Sequence, residues 1–322
     1  MSNSVTIRVP ARLHLGFLDP SGNGGRRFGS IGLPLSEPET VLTLSRAAET
    51  MVIGPESERA ASHLAALTKR LGIRAQHRLT ILDAIPRHAG LGSGTQIALA
   101  VAAALRTLHA MPLDIDDDAT LLARGGRSGI GIASFDSGGL IVDAGNDGSG
   151  RPPPVVARLP FPEVWRVVLV LDDALDGLHG EAEMQAFRTL PPFPVSGTGE
   201  ICRQVLTEVM PALVEHDLAA FGAGISAIQH LVGNHFAPAQ GGVFTSKRVE
   251  ATMQALARAG AVGIGQSSWG PTGFAFAASQ AAAEQMVAAA RSTAGDGIEM
   301  RIVRGRNAGA TISSTGLNLV GS

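Results

Sequence analysis

Pro86-Arg87-His88-Ala89-Gly90-Leu91-Gly92-Ser93-Gly94-Thr95-Gln96 separates two segments of opposite periodicity. Residues 73–85 alternate apolar and polar as a strand does, and the alanine-rich run Ile97 to Leu108 has strong helix propensity. Glycines at alternate positions between a strand and a helix let the backbone approach an anion closely. They also aim several N–H groups at it from a helix N-terminus, and Ser93 and Thr95 add hydroxyls. A phosphate cradle is built this way; a tight turn that needs glycine for packing leaves the same pattern. The run is not a Walker A loop, since no Lys-Ser/Thr follows the glycines. Nor is it the dinucleotide fingerprint, because Thr95 stands where the spacing from Gly90 requires a last glycine.

Upstream, Val5, Ile7 and Val9 alternate with Thr6 and Arg8, and Leu13, Leu15 and Phe17 resume after Pro10, which predicts a strand broken by a bend. A glycine-rich loop, Ser21 to Gly32, carries Arg26 and Arg27. A strand-like run lies within 40–53, and Ala60, Leu64, Leu67 and Leu71 predict a helix over 57–71 stopped by Gly72. Downstream, Asp114, Asp116, Asp117 and Asp118 precede helical 119–123, where carboxylates suit a helix N-terminus better than a metal. Residues 125–139 read as a second glycine-rich loop leading into a strand at 140–142. Residues 148–162, with Pro152-Pro153-Pro154, read as a junction between domains at 1–155 and 156–322. The second half opens on a strand at 165–171 and continues with helices near 181–188, 199–214, 217–231 and 246–259. A polar loop at 263–273, a strand at 274–277, a helix at 280–291 and a strand at 298–304 complete it. Strands and helices mixed without regular alternation predict an α+β fold.

Composition narrows the function. The chain has 322 residues, is 45% hydrophobic and carries a net charge of −2, so two domains with a sizeable core are expected, and nucleic acid or an anionic membrane is not expected as the main partner. Any anion must meet a local site. Lys69 and Lys247 are the only lysines among 26 basic residues, so a charged substrate would be gripped by guanidinium forks. Cys202 is the single cysteine, which excludes an intramolecular disulfide or a cysteine-based zinc site and suits a reduced compartment. Met1 to Ser4 leads into an alternating segment without a basic patch before an apolar stretch, so no signal peptide is expected. Apolar runs are cut short of a membrane-spanning length of about 20 residues, and a cytoplasmic protein is expected.

With these motifs in order, the sequence resembles the GHMP superfamily of small-molecule kinases and relatives. The elements that carry the resemblance are Val9-Pro10-Ala11-Arg12-Leu13-His14-Leu15-Gly16, the loop from Pro86 to Thr95, and Gly263-Ile264-Gly265-Gln266-Ser267-Ser268-Trp269-Gly270. Within the superfamily it is most similar to the β-ribofuranosylaminobenzene 5′-phosphate synthase family, whose loop reads as His88 to Gln96 does here. Arg127-Ser128-Gly129-Ile130-Gly131, Gly138 to Asp143 and Gln266 to Thr272 also resemble that family. The resemblance implies a ribosomal protein S5 domain 2-like N-terminal domain and a ferredoxin-like C-terminal domain. In kinases of the mevalonate-kinase type, Ser-Gly-Ile-Asp supplies an aspartate beside the phosphoryl acceptor; here Gly131 follows Ser128-Gly129-Ile130 and can neither orient nor deprotonate a hydroxyl, so phosphoryl transfer to an alcohol would need Asp136 or another carboxylate in its place. Homoserine-type kinases also lack it, so an ATP-dependent kinase stays as the alternative, and a non-catalytic scaffold as a third reading.

The resemblance implies transfer of phosphoribosyl from 5-phosphoribosyl 1-diphosphate to the ring of 4-aminobenzoate or 4-hydroxybenzoate, with loss of CO2 and diphosphate, toward tetrahydromethanopterin. Diphosphate departure leaves an oxocarbenium-like C1, so N–H groups, arginines and Mg²⁺ are expected around the leaving charge. No base is needed, and no pyridoxal phosphate is expected. Phosphate groups of the donor are expected on Gly90, Leu91, Gly92, Ser93, Gly94, Thr95 and Gln96, with Arg12, His88, Arg127 and Ser128. Arg26 is the expected diphosphate clamp, Asp19 the candidate Mg²⁺ ligand or brace for Arg26, and His14 a further catalytic candidate. For Asp19 a turn role, for Arg26 an exposed loop charge and for the histidines a structural role fit equally simple pictures. Gln266, Ser267, Ser268, Trp269 and Thr272 are expected to face the cradle and bind the benzoate, Trp269 as wall or as core. The family likeness and the apolar helices of the second half imply a homodimer.

Overall fold

The computed structural model describes residues 2–316. It begins with two long antiparallel strands, β1 (Ser2–Asp19) and β2 (Phe28–Ala47). The expected bend after Pro10 is instead a continuous strand with register shifts at Pro10/Arg12 and His14/Gly16. These shifts let β1 serve two cores: Val5, Ile7 and Val9 pack with one cluster, Leu13 and Leu15 with another. Next come β3 (Met51–Ile53), α1 (Ser57–Leu71), β4 (Gln76–Asp83) and α2 (Ser93–Leu108). Helix α1 ends where expected, at Gly72 in the left-handed region (φ 66°). Helix α2 is apolar on nearly every side, with Ile97 to Leu105 buried throughout, and forms the centre of its domain. In α3 (Ile115–Leu121) the Asp114 side chain caps the Asp117 N–H, and Asp118 pairs with buried Arg106 at 2.7 and 2.8 Å, so the acidic run has structural work.

The glycines of 125–139 hide a helix, α4 (Ile130–Asp136), whose Ile130, Ile132 and Phe135 are buried. Strands β5 (Leu140–Asp143) and β6 (Val155–Leu159) follow; β5 pairs with the start of β2 and β6 pairs with β5. The expected boundary at 155 thus falls at a strand of the first sheet, whose main order is β11-β1-β2-β4-β3.

The second sheet starts with β7 (Arg166–Asp172). A helical insertion follows: α5 (Gly180–Thr189), α6 (Val195–Gln204), a π-helical turn (Val205–Val209), α7 (Met210–Glu215) and α8 (Leu218–Gln240). The chain then runs α9 (Lys247–Arg258), β8 (Val262–Gln266), β9 (Gly273–Ala277), α10 (Gln280–Ala294) and β10 (Ile298–Val303), giving the order β10-β7-β9-β8. This is the split βαββαβ of a ferredoxin-like unit. The loop read at 263–273 is therefore half strand. A final strand that no sequence pattern predicts, β11 (Thr311–Gly316), returns to β1. Leu13, Leu15, Ile31 and Leu33 of the first sheet share one core with Val167, Leu169, Phe274 and Phe276 of the second and with Phe221 and Ile225 of α8. No helix among the described residues is long and apolar enough to cross a membrane. Cys202, on α6, is half-buried, and burial raises its thiol.

Candidate active site

The loop at 86–92 is held from two sides. Gly90 (φ 74°) and Gly92 (φ 84°) are left-handed, and a Cβ on Gly90 would collide with the Ser267 carbonyl oxygen. From β1, the Arg12 N–H donates to Leu91 O at 3.1 Å and Arg12 Nη1 to Gly90 O at 2.6 Å. From the turn between β8 and β9, Ser267 Oγ donates to Gly90 O at 2.7 Å and accepts the His14 N–H at 3.0 Å. Gly92 then opens α2, so the Ser93 and Gly94 amides have no intrahelical acceptor. They face a cleft of about 670 Å³ between the two domains.

Four arginines line this cleft: Arg12, Arg59, Arg124 and Arg127. Burial lowers Arg12 to about 10 against the pull of Glu183. Burial, then the neighbouring Arg59 charge, lowers Arg124 as well. Glu183, on α5, is the only lining carboxylate among the described residues, and its Oε1 is 2.5 Å from Arg127 Nη1. One wall is backed by an aromatic cluster: Phe17 and Trp269 border the cleft but are only 6% and 3% exposed, so Trp269 is mainly core, with Phe236 and Phe187 at 4.5 and 5.3 Å from its ring. Trp269 Nε1 and His14 Nε2 are buried without a partner. Burial, reinforced by Arg12, takes His14 down to about 3, so its imidazole is neutral. His88 stacks on His179 with centroids 3.5 Å apart.

The structure thus brings to one cleft Arg12, His14, His88 and the cradle glycines with Ser93 and Thr95, together with Arg127, Ser128, Ser268 and Trp269. Others stand behind it as braces. Leu91 is core, Gln96 Nε2 donates to Gly131 O at 2.7 Å, and Ser267 ties β1 to the loop. Gln266 is taken up by Thr245 N–H, Gln240 and Ser268 O, and Thr272 lines a separate concavity beside Asp172. Two expected residues lie elsewhere. Asp19 accepts from the N–H groups of Ser21, Gly22 and Gly24 and from Asn23, so its carboxylate braces its own loop. That loop carries Arg26 away, to Gly145 O at 2.8 Å and Asp147 at 3.4 Å, where it lines a different concavity. Arg59, Arg124, His179 and Glu183 carry no local sequence signature, because they come from α1, the loop after α3, the turn before α5 and α5 itself.

A Ser-Gly-Ile segment beside a glycine cradle, with a ferredoxin-like partner domain closing the cleft, defines a GHMP-type molecule. GHMP kinases N terminal domain matches residues 58–139 and GHMP kinases C terminal matches 209–296. Homoserine kinase from Cytophaga hutchinsonii superposes with a TM-score of 0.72 at 18% identity, covering 97% of this chain and 98% of that one. Mevalonate diphosphate decarboxylase from Staphylococcus aureus gives 0.68 at 16% identity, covering 98% and 99%. Within this fold the chain belongs to the β-ribofuranosylphenol 5′-phosphate synthase family. It is 34% identical over 297 residues to the synthase of Methanothermobacter thermautotrophicus, covering 82% of this chain and 86% of the relative. It is 38% identical over 240 residues to that of Archaeoglobus fulgidus, covering 70% and 75%.

Proposed function

We propose that this chain is a decarboxylating phosphoribosyltransferase that joins 5-phosphoribosyl 1-diphosphate to the ring of a 4-substituted benzoate. The observation that carries this reading is a single cleft combining four arginines and free helix amides with an aromatic wall, and holding one carboxylate, already paired. That chemistry suits a polyanionic donor and a flat acceptor, and it leaves little for deprotonating an alcohol. Gly131 argues the same way against the kinase alternative: the aspartate of the mevalonate-kinase type is missing, and a Cβ there would lie 3.0 Å from Thr95 Cγ2, close enough that Thr95 would have to shift.

In the reaction, the C1–oxygen bond of the ribose breaks and diphosphate leaves with the electron pair. The ring carbon bearing the carboxylate bonds to C1, and the pair of the carbon–carboxylate bond returns to the ring as CO2 departs. Arg12, Arg127 and the amides at Ser93 and Gly94 stabilise the phosphate charges. The apolar end of the cleft, bordered by the edges of Phe17 and Trp269, receives the ring, and Ser268 offers it a neutral polar contact. Mg²⁺ is part of the proposal and would share the charge of the departing diphosphate; Asp19 is taken up by its own loop, and Glu183, the carboxylate lining the cleft, would hold the ion only on leaving Arg127. The relatives' name is that of a phenol product, so 4-hydroxybenzoate is proposed as acceptor ahead of 4-aminobenzoate. A cytoplasmic homodimer completes the reading. The test is diphosphate release from the ribosyl donor with each benzoate, beside an ATP arm: benzoate-dependent diphosphate is expected, and ADP formation without it would contradict the proposal.

A further inference from the structure

Arg59 and Arg124 have no task in that reaction scheme. They meet over the start of α2, where a Cβ on Gly94 would lie 3.3 Å from Arg124 Nη1 and 3.7 Å from Arg59 Nη1. Their charge is poorly balanced. Glu56, 3.2 Å from Arg59, is shared with Arg87 at 3.0 Å, and among the described residues no carboxylate pairs with Arg124. Arg124 Nε is buried without a partner, and so is Nε2 of His63, a side chain only 8% exposed, one turn beyond Arg59 on α1. His63 feels both guanidinium groups. Like charges held together beside an unpartnered guanidinium N–H and two free helix amides form a site that an anion completes.

The cradle also orders the cleft. Gly90 abuts the Ser267 and Gly270 carbonyls of the aromatic end, Gly92 would set a Cβ 3.1 Å from Arg12 Nε, and Gly94 faces Arg124 and Arg59. The sequence along the loop is therefore aromatic wall, Arg12, then the second arginine pair. A phosphoribosyl diphosphate has two anionic ends, and its reacting C1, which bears the diphosphate, must lie beside the acceptor ring. We propose that Arg59 and Arg124, with His63 behind them, bind the 5′-phosphate of the ribosyl donor, and that Arg12 and Arg127 serve the diphosphate. This assignment rests on the proposed function.

The test is calorimetric binding of two probes, ribose 5-phosphate and inorganic diphosphate, to the full chain. Arg59→Gln/Arg124→Gln is expected to lose affinity for ribose 5-phosphate by about tenfold or more while binding diphosphate within about twofold of wild type, and Arg12→Gln is expected to do the reverse. Arg124→Lys, which keeps the charge, should retain part of the ribose 5-phosphate affinity if the double variant folds poorly. Unchanged ribose 5-phosphate binding in folded variants, or loss of diphosphate instead, overturns the assignment. A wild-type chain that binds neither probe nor the ribosyl donor overturns the functional reading beneath it, and the assignment with it.

Discussion

Gly131 and Arg12 show how single side chains set the chemistry. Gly131 presses on Thr95, the last hydroxyl of the cradle, so Gly131→Asp is expected to displace Thr95 and lower synthase activity about tenfold or more without creating an ATP-consuming kinase. Parallel assays of CO2 and ADP check both halves. Arg12 is fixed by its 2.6 Å bond to Gly90 O, and its Nε is buried against Gly92 without a partner. A lysine keeps the charge and loses the fork, so Arg12→Lys is expected to reduce kcat/KM by about tenfold to a hundredfold. Wild-type kinetics in that variant would place the anion elsewhere.

Helix α5 covers the cleft, and its Glu183 occupies Arg127 as an anion would. Removing that charge frees the arginine: without added divalent cation, Glu183→Gln is expected to bind diphosphate about threefold to tenfold more tightly, read by calorimetry. Equal affinity would mean that Arg127 takes no part. Elements of this kind mark the limit of what the sequence conveys. Helix α1, α2 and the acidic cap of α3 follow from local spacing and capping, and the cradle from its glycines. Helix α4 is concealed by the glycines around it, because its stability comes from burying Ile130, Ile132 and Phe135 rather than from propensity. Strand β11, Thr311-Ile312-Ser313-Ser314-Thr315, has almost no hydrophobic pattern and is set by pairing with β1, some 300 residues away. The same non-locality explains the site. His14, Arg12 and the cradle lie in recognisable motifs, whereas Arg59, Arg124 and Glu183 converge only once the chain is folded; Asp19 and Arg26 sat in a persuasive loop that turns away.

Across the whole molecule, buried neutral histidines couple folding to pH. Burial holds His14 at about 3, His63 at about 4 and His77 at about 4, below the ordinary 6.5. Between pH 6.5 and about 4 the unfolded chain therefore binds more protons, and stability falls as pH falls through that window. Asp143, raised by burial to about 6, acts in the opposite sense between about 4 and 6, as one group against these three and against His88, His109 and His235, which burial also lowers. Urea midpoints are expected to be lower at pH 5 than at pH 7.5; a midpoint unchanged or higher at pH 5 would contradict this balance.

The two domains share one core and close one cleft, and the claim that the cleft transfers phosphoribosyl with decarboxylation is open to a direct measurement. Carboxyl-labelled 4-hydroxybenzoate, phosphoribosyl diphosphate and Mg²⁺, without ATP, should yield labelled CO2 and diphosphate in equal amounts. Label retained in the benzoate, with no diphosphate formed, would contradict the account.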